Sequence, residues 1–313
     1  MTVATMQQNQ NMIMLSYRKD FWDSDTASDQ SQWALVRPDG TIASSTPDLK
    51  WLDQKNILVV VHGFNTEESD ILPAYFNVKK QMSARVMQAA KPFYDAVIGI
   101  TWPGYQNDLE YYSTEDHARA LASRLRSDIN RLAGLAGKVD VIAHSTGNRF
   151  IFEALKTGGR DKPVRNLFSF APVVDDESIK KKHQYVPSVR SCERVYIFHS
   201  LEDDVLKFLY PLVSFDAGSE DGKAILCNVQ SIDCRDVVNV HSEYALSAQI
   251  YEFIRKGLQG ELPTPPEVVD MKILRDGSIQ IIHRNSWWNR FGKTAAVGAL
   301  AIAGLAKFTK VKP

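Results

Sequence analysis

Residues Val139–Phe150, VDVIAHSTGNRF, constrain the fold more than any other stretch. A short run of β-formers leads directly into His144-Ser145-Thr146-Gly147. A helix-like pattern then follows through Asn148, Arg149, Phe150, Ile151, Phe152, Glu153, Ala154 and Leu155. With no loop between them, strand and helix must meet at a tight turn, and Ser145 on that turn is driven to strained dihedrals. Small neighbours at Ala143 and Gly147 allow strand and helix to approach without clashing. The Ser145 hydroxyl is then held above the sheet, and the backbone N–H of Thr146 faces any oxyanion that forms on a bound carbonyl. The match is A-x-S-x-G, with alanine where such turns more often carry glycine. The plain alternative is a serine N-cap on a helix that follows a strand.

Three further features bear on that choice. Upstream, Asn56–Val61 (NILVVV) reads as an apolar strand ending in His62-Gly63-Phe64-Asn65. Gly63 permits close backbone approach, which makes the N–H of Phe64 the candidate for a second oxyanion donor. An ordinary turn with glycine at positive φ is the competing reading. Downstream, Arg194–Ser200 (RVYIFHS) is another strand, running into Leu201-Glu202-Asp203-Asp204-Val205-Leu206. A carboxylate just past a strand end is what a catalytic histidine needs, to orient it and to stabilise its imidazolium. Asp203 is favoured, with Val205 and Leu206 starting a helix after it, and Asp204 is the alternative acid. All three acids could instead simply suit the positive end of that helix. Of seven histidines, His62 and His144 belong to the turn motifs, His117 to a predicted helix, His183 to a basic loop and His283 to the tail, while His199 is still within its strand. His241, between a strand at Ala224–Val229 (AILCNV) and a helix at Ser242–Ile254, is left as the base. The chain order is then Ser145, Asp203, His241.

Together these residues resemble an α/β-hydrolase. Within that superfamily the chain is similar to a bacterial family of hydrolases described only as of unknown function. That family shows a strand into HGFN, a strand ending in Trp-Pro, Tyr and Asp before an Ala-rich helix, and HSxGN. Here stand His62-Gly63-Phe64-Asn65, Trp102-Pro103, Tyr112 with Asp116, Ala118 and Ala120, and His144-Ser145-Thr146-Gly147-Asn148. Thr146 occupies a position where the family often has methionine. The resemblance covers about Asn56–Leu155 and extends loosely to the acid and the histidine. It implies an α/β fold and a serine hydrolase acting on ester-like bonds through Ser145, Asp203 and His241, with Phe64 and Thr146 as oxyanion hole. It names no substrate. A small-molecule or lipid ester is expected. An amidase or acyltransferase could use the same triad, and an inactive hydrolase-fold protein that serves in interaction or membrane docking is the reading from a different class.

The chain has 313 residues, 44% of them hydrophobic and 24% charged, with a formal net charge of zero. Neutrality argues against a nucleic-acid partner, which is usually met by a basic face. The three cysteines, Cys192, Cys227 and Cys234, form no framework, which points to a reducing compartment and a cytoplasmic location. The start, MTVATMQQNQNMIML, lacks the basic and apolar segments of a secretory signal. No metal-ligand motif occurs, so neither metal nor cofactor is expected.

Residues 1–11 read as a mobile start and 12–257 as the hydrolase domain. Met12–Tyr17, Gln32–Val36 and Thr41–Ala43 read as strands around a Pro38-Asp39-Gly40 turn. Apolar runs at 56–61, 96–101, 139–143, 166–171, 195–198 and 224–229 alternate with helices, which implies a mostly parallel central sheet with helices on both faces. The clearest helix has Ser113-x-x-Asp116 as a cap and a stripe of Ala118, Leu121, Leu125, Ile129 and Leu132. Lys180-Lys181-Lys182-His183 reads as a solvated loop. A Pro-rich linker at 258–268 precedes a C-terminal extension, 269–313. This holds a hairpin about Asp276-Gly277 and then a tail with Arg284, Arg290, Lys293, Lys307, Lys310 and Lys312 but no acid. Trp287-Trp288 and Phe291 precede the uncharged Thr294–Ala306, whose length of about 20 Å as a helix falls short of the roughly 30 Å hydrocarbon core. Residues 284–313 therefore suit either a membrane surface, through their aromatic and basic flanks, or docking on this domain or a partner protein.

Overall fold

The computed structural model describes residues 11–22, 26–44, 47–64, 68–83, 92–104, 111–158, 161–174, 184–209, 228–263 and 270–281. Eleven strands form one sheet: β1 (Met12–Arg18), β2 (Ala27–Val36), β3 (Ile42–Ser44), β4 (Asn56–Val61), β5 (Ala96–Thr101), β6 (Lys138–His144), β7 (Val164–Phe170), β8 (Cys192–His199), β9 (Val229–Asp233), β10 (Asp270–Ile273) and β11 (Ile279–Ile281). Their spatial order is β11-β10-β9-β8-β7-β6-β4-β5-β1-β2-β3. Every pairing from β10 across to β1 is parallel, and only the outermost pairs, β10/β11, β1/β2 and β2/β3, are antiparallel. This is an α/β-hydrolase fold with a mostly parallel sheet.

Parallel strands need crossovers, and the apolar runs fit strands covered on both faces. Within β4, Ile57, Val59 and Val61 enter one core while Leu58 and Val60 enter the other. Six described helices run α1 (Glu68–Ser83), α2 (Tyr111–Leu135), α3 (Thr146–Lys156), α4 (Val186–Arg190), α5 (Asp204–Leu209) and α6 (Ala248–Gln259). The first core takes the α2 stripe of Ala118, Leu121, Leu125, Ile129 and Leu132, with Phe150 and Ile151 of α3. The second takes Ile71, Tyr75 and Val78 of α1 and Ile250, Tyr251, Phe253 and Ile254 of α6. After β5 the chain returns to the other side of β4 to make β6, so the strand order reverses at β4. Such a switch point opens a crevice at the carboxyl ends of the strands, where α/β sheets place their ligands.

Several boundaries differ from the sequence reading. The strand expected at Ala224–Val229 is instead β9, Val229–Asp233; residues 224–227 lie outside the described residues. Hydropathy misses β9 because polar side chains serve it from inside: Gln230 donates to the Pro263 carbonyl, Ser231 meets His199 and Asp233 pairs with Arg235. The helix expected at Ser242–Ile254 splits into a 3-10 turn, Glu243–Ala245, and α6, which starts only after Ser247 caps it by accepting from the Ile250 N–H. It runs past Gly257 and ends where Gly260 takes φ 77°. Helix α2 begins at Tyr111, so Ser113 and Asp116 lie within it rather than at its cap. The hairpin at 270–281 extends the sheet through parallel pairing of β10 with β9. The basic run 180–183 and the tail segment 284–313 lie outside the described residues, and among the described residues no helix is long and apolar enough to cross a membrane.

Three histidines lie at the carboxyl ends of strands: His62 after β4 and His199 closing β8 are buried, and His144 closing β6 is part-buried. Burial, reinforced by the Arg18 charge, pushes His62 down to about 3. Burial and the neighbouring His241 push His144 down to about 3, and burial lowers His199. An unfolded histidine titrates near 6.5, so below that pH the unfolded chain binds protons that the folded chain refuses. The stability these neutral rings confer is full above about pH 6.5 and drains as pH falls toward 3. Chemical-denaturation midpoints should therefore drop between pH 7 and pH 5. In His199→Gln, which removes one of the three protons, the drop should shrink. An undiminished drop would show that His199 does not contribute.

Candidate active site

Ser145 stands between β6 and α3 at φ 53° and ψ −126°, a region non-glycine residues rarely occupy. Its backbone is pinned on both sides. The Ser145 N–H donates to the Phe170 carbonyl (3.0 Å), and the Ser145 carbonyl accepts from the Asn148 N–H and side-chain amide (3.1 Å each). Asn148 is wholly buried; its amide also donates to the Phe170 carbonyl (2.9 Å), and its oxygen accepts from Ser169 (2.6 Å). The side chain of Asn148 thus clamps the turn to the neighbouring strand β7. The sequence reading took Asn148 as part of a helix-like run and of a family pattern and missed this task.

The loop after β4 interlocks with the same turn. A Cβ on Gly63 would lie 2.7 Å from the Ser145 Cβ, and one on Gly147 would collide with the His62 carbonyl oxygen. Gly147 is thus required by the neighbouring loop, whereas the sequence reading assigned it to the approach of strand and helix. The loop is fixed from below by Trp102, fully buried at the end of β5. Its indole N–H donates to the His62 carbonyl (3.0 Å) and its backbone N–H to His62 Nε2 (3.3 Å). His62 Nδ1–H then donates to the Gly63 carbonyl (2.7 Å), since a carbonyl can only accept. Trp102 also stacks on Phe150 of α3, with ring centroids 4.7 Å apart. Phe64 is the residue after Gly63 in this loop. Thr146 is the first residue of α3, where backbone N–H groups have no partner within the helix.

Asp203 ends the loop after β8 and is completely buried. One carboxylate oxygen caps α5 by accepting from the Leu206 N–H (3.1 Å); the other lies 2.8 Å from His241 Nδ1. Burial acts to raise this carboxyl, but hydrogen bonds from His241 and the Leu206 N–H, with the charge of His241, hold it below the usual range. Asp204, the alternative acid, is exposed and among the described residues accepts from the next backbone N–H, that of Val205 (3.0 Å). His241 Nε2 lies 2.8 Å from Ser145 Oγ. Ser145, His241 and Asp203 therefore form one unbroken hydrogen-bonded chain, with three elements far apart in sequence each supplying one member. Tyr244, three residues beyond His241, carried no sequence signal. Among the described residues no cluster of His, Cys, Asp and Glu is placed to hold a metal ion, and Cys192 and Cys234 are buried thiols.

Solved structures similar to this chain include a putative hydrolase of the alpha/beta superfamily from Xanthomonas campestris, 16% identical over 65% of this chain and 97% of that one, with a TM-score of 0.37. A cold-adapted esterase from an Arctic intertidal metagenomic library is 10% identical over 72% and 87%, with a TM-score of 0.42. An esterase from Pyrococcus furiosus is 11% identical over 83% and 92%, with a TM-score of 0.40. No curated protein matches the chain. The model of one family, alpha/beta hydrolase of unknown function (DUF900), matches residues 43–214, more than half of the sequence and with it the interlocked loops, Ser145 and Asp203, and the chain belongs to that family.

Proposed function

We propose that the protein is a serine hydrolase that cleaves a carboxylic ester or thioester through an acyl-serine intermediate. The observation that carries this reading is the chain Ser145 Oγ–His241 Nε2 (2.8 Å) and His241 Nδ1–Asp203 (2.8 Å), built on a strained turn. Ser145 Oγ attacks the substrate carbonyl carbon while His241 Nε2 takes its proton. The oxyanion is received by the N–H groups of Phe64 and Thr146. The tetrahedral adduct then collapses; the C–O or C–S bond to the leaving group breaks, and His241 returns the proton to it. Water, deprotonated by His241, repeats the attack on the acyl-serine and frees the acid. Throughout, Asp203 holds His241 in the Nδ1–H tautomer and balances its positive charge.

A fluorophosphonate should label the wild type and not Ser145→Ala, and short-chain p-nitrophenyl esters should be hydrolysed. Labelling that persists in Ser145→Ala removes the nucleophile from this scheme. Asp203→Asn keeps the cap on α5 but presents the wrong partner to His241, so kcat should fall by orders of magnitude, about 10⁴ in the best-studied triad. Asp204→Asn should change kcat little. A kinetic comparison of the two variants with similar circular dichroism checks the assignment, and the reverse ranking overturns it.

The basic, tryptophan-bearing tail suits an anionic membrane surface, and a lipid ester is then the substrate class. Binding to anionic vesicles should weaken with salt, because exposed charges are screened over about 8–10 Å. Truncation after Arg284 should abolish vesicle binding and leave hydrolysis of a small soluble ester nearly intact. Full-length protein that ignores anionic vesicles at low salt overturns the membrane reading and leaves docking on protein.

A further inference from the structure

One of the groups bonded to His241 is itself a histidine, next to Ser145 in the chain. His144 closes β6, and its Nε2 lies 2.8 Å from the backbone carbonyl oxygen of His241. That oxygen can only accept, so Nε2 of His144 carries a proton. Its ring lies 4.8 Å from the His241 ring and 6.3 Å from Tyr244, centroid to centroid. The Nδ1 edge faces the other loop: a Cβ built on Gly63 would come within 3.3 Å of it. His144 thus stands where the turn, the loop after β4 and the loop of His241 meet.

We infer that His144 is a positioning residue for the base: as an Nε2–H donor it fixes the backbone of His241, and so sets the height of His241 Nε2 over Ser145 Oγ. The inference rests on the serine-hydrolase reading. The geometry explains why a histidine stands here. The reach to the His241 carbonyl runs from a side chain anchored on the same strand as the nucleophile, so the base is indexed to Ser145 rather than to its own loop. Burial opposes protonation of His144, with the charge of His241 as the next contribution. The donor therefore adds no second positive charge beside His241 when His241 accepts the serine proton. The groups facing His144 are His241 and Tyr244 from the histidine loop, Gly63 from the loop after β4, and Asp203 at longer range through its charge.

Side-chain geometry supplies the test. A glutamine amide nitrogen reaches the same distance from Cβ as histidine Nε2, whereas an asparagine nitrogen matches Nδ1 and falls short. Phenylalanine keeps the ring and loses the donor. With a soluble p-nitrophenyl ester, His144→Asn and His144→Phe should lose at least tenfold in kcat with KM within about twofold, while His144→Gln should stay within about threefold of wild type. The rate of fluorophosphonate labelling should follow the same order. A packing role would reverse it, favouring Phe and treating Gln and Asn alike. Should His144→Phe fail to fold, the Gln and Asn pair still decides. A reactive wild type with Gln and Asn equally impaired, or with Asn unimpaired, overturns this inference alone. A wild type that neither labels nor hydrolyses overturns the serine-hydrolase reading and this inference with it.

Discussion

The turn at Ser145 is held in a conformation that the residue does not favour, and the rest of the site is arranged around holding it there. A non-glycine residue at positive φ costs on the order of 1–3 kcal/mol and persists only where its surroundings over-determine it. Here the surroundings are specific. Asn148 ties the turn to β7, Phe170 accepts its N–H, and Gly63 and Gly147 let the loop after β4 close against it. Trp102 in turn fixes that loop by two hydrogen bonds to His62 and a stack on Phe150. The parallel register Val61↔Ala143 brings the two strand ends level, so that both loops leave the sheet side by side. Remove that register and the strain at Ser145 cannot be maintained.

Charge is managed at the site with equal economy. Asp203 is buried, and a buried carboxylate is costly unless its oxygens are served. It is served by a helix N-terminus on one oxygen and by His241 on the other. The same acid thus caps α5 and holds His241. Around it the histidines are kept neutral by burial. Any positive charge on His241 would meet one buried anion and no competing cation from these rings.

The mostly parallel sheet, its helices on both faces and the strand–serine–helix turn were legible in the sequence because each rests on local signals. Unbroken apolar runs mark buried parallel strands, and the strand–serine–helix junction leaves no alternative to a sharp turn. Asp203 was legible for a similar reason: a strand end, an acid and a helix start follow one another directly. Where the sequence misled, long-range partners had replaced local ones. Strand β9 hides its polar residues behind contacts to Pro263, His199 and Arg235 that no window of sequence reveals. Asn148 and Trp102 read as motif letters, because their hydrogen bonds go to Phe170 and His62, residues far along the chain.

His241 shows what the fold must add when a functional residue has neither strand nor helix beneath it. Its loop is secured by polar ties from several directions instead. Ser200 donates to the Val238 carbonyl (2.8 Å), and the Glu243 carboxylate accepts from the Asn239 and Val240 N–H groups (2.7 and 3.2 Å). Asn77 of α1 donates to the Ala245 carbonyl (2.8 Å), and His144 reaches the His241 carbonyl itself. Loops opened to solvent are the low-stability end of most folds, and several modest hydrogen bonds at about 1 kcal/mol each hold such a segment only if they act together. The ties come from β6, from the loop after β8, from α1 and from the loop itself. His241 is therefore tied to the strand that leads into Ser145 and to the loop that bears Asp203.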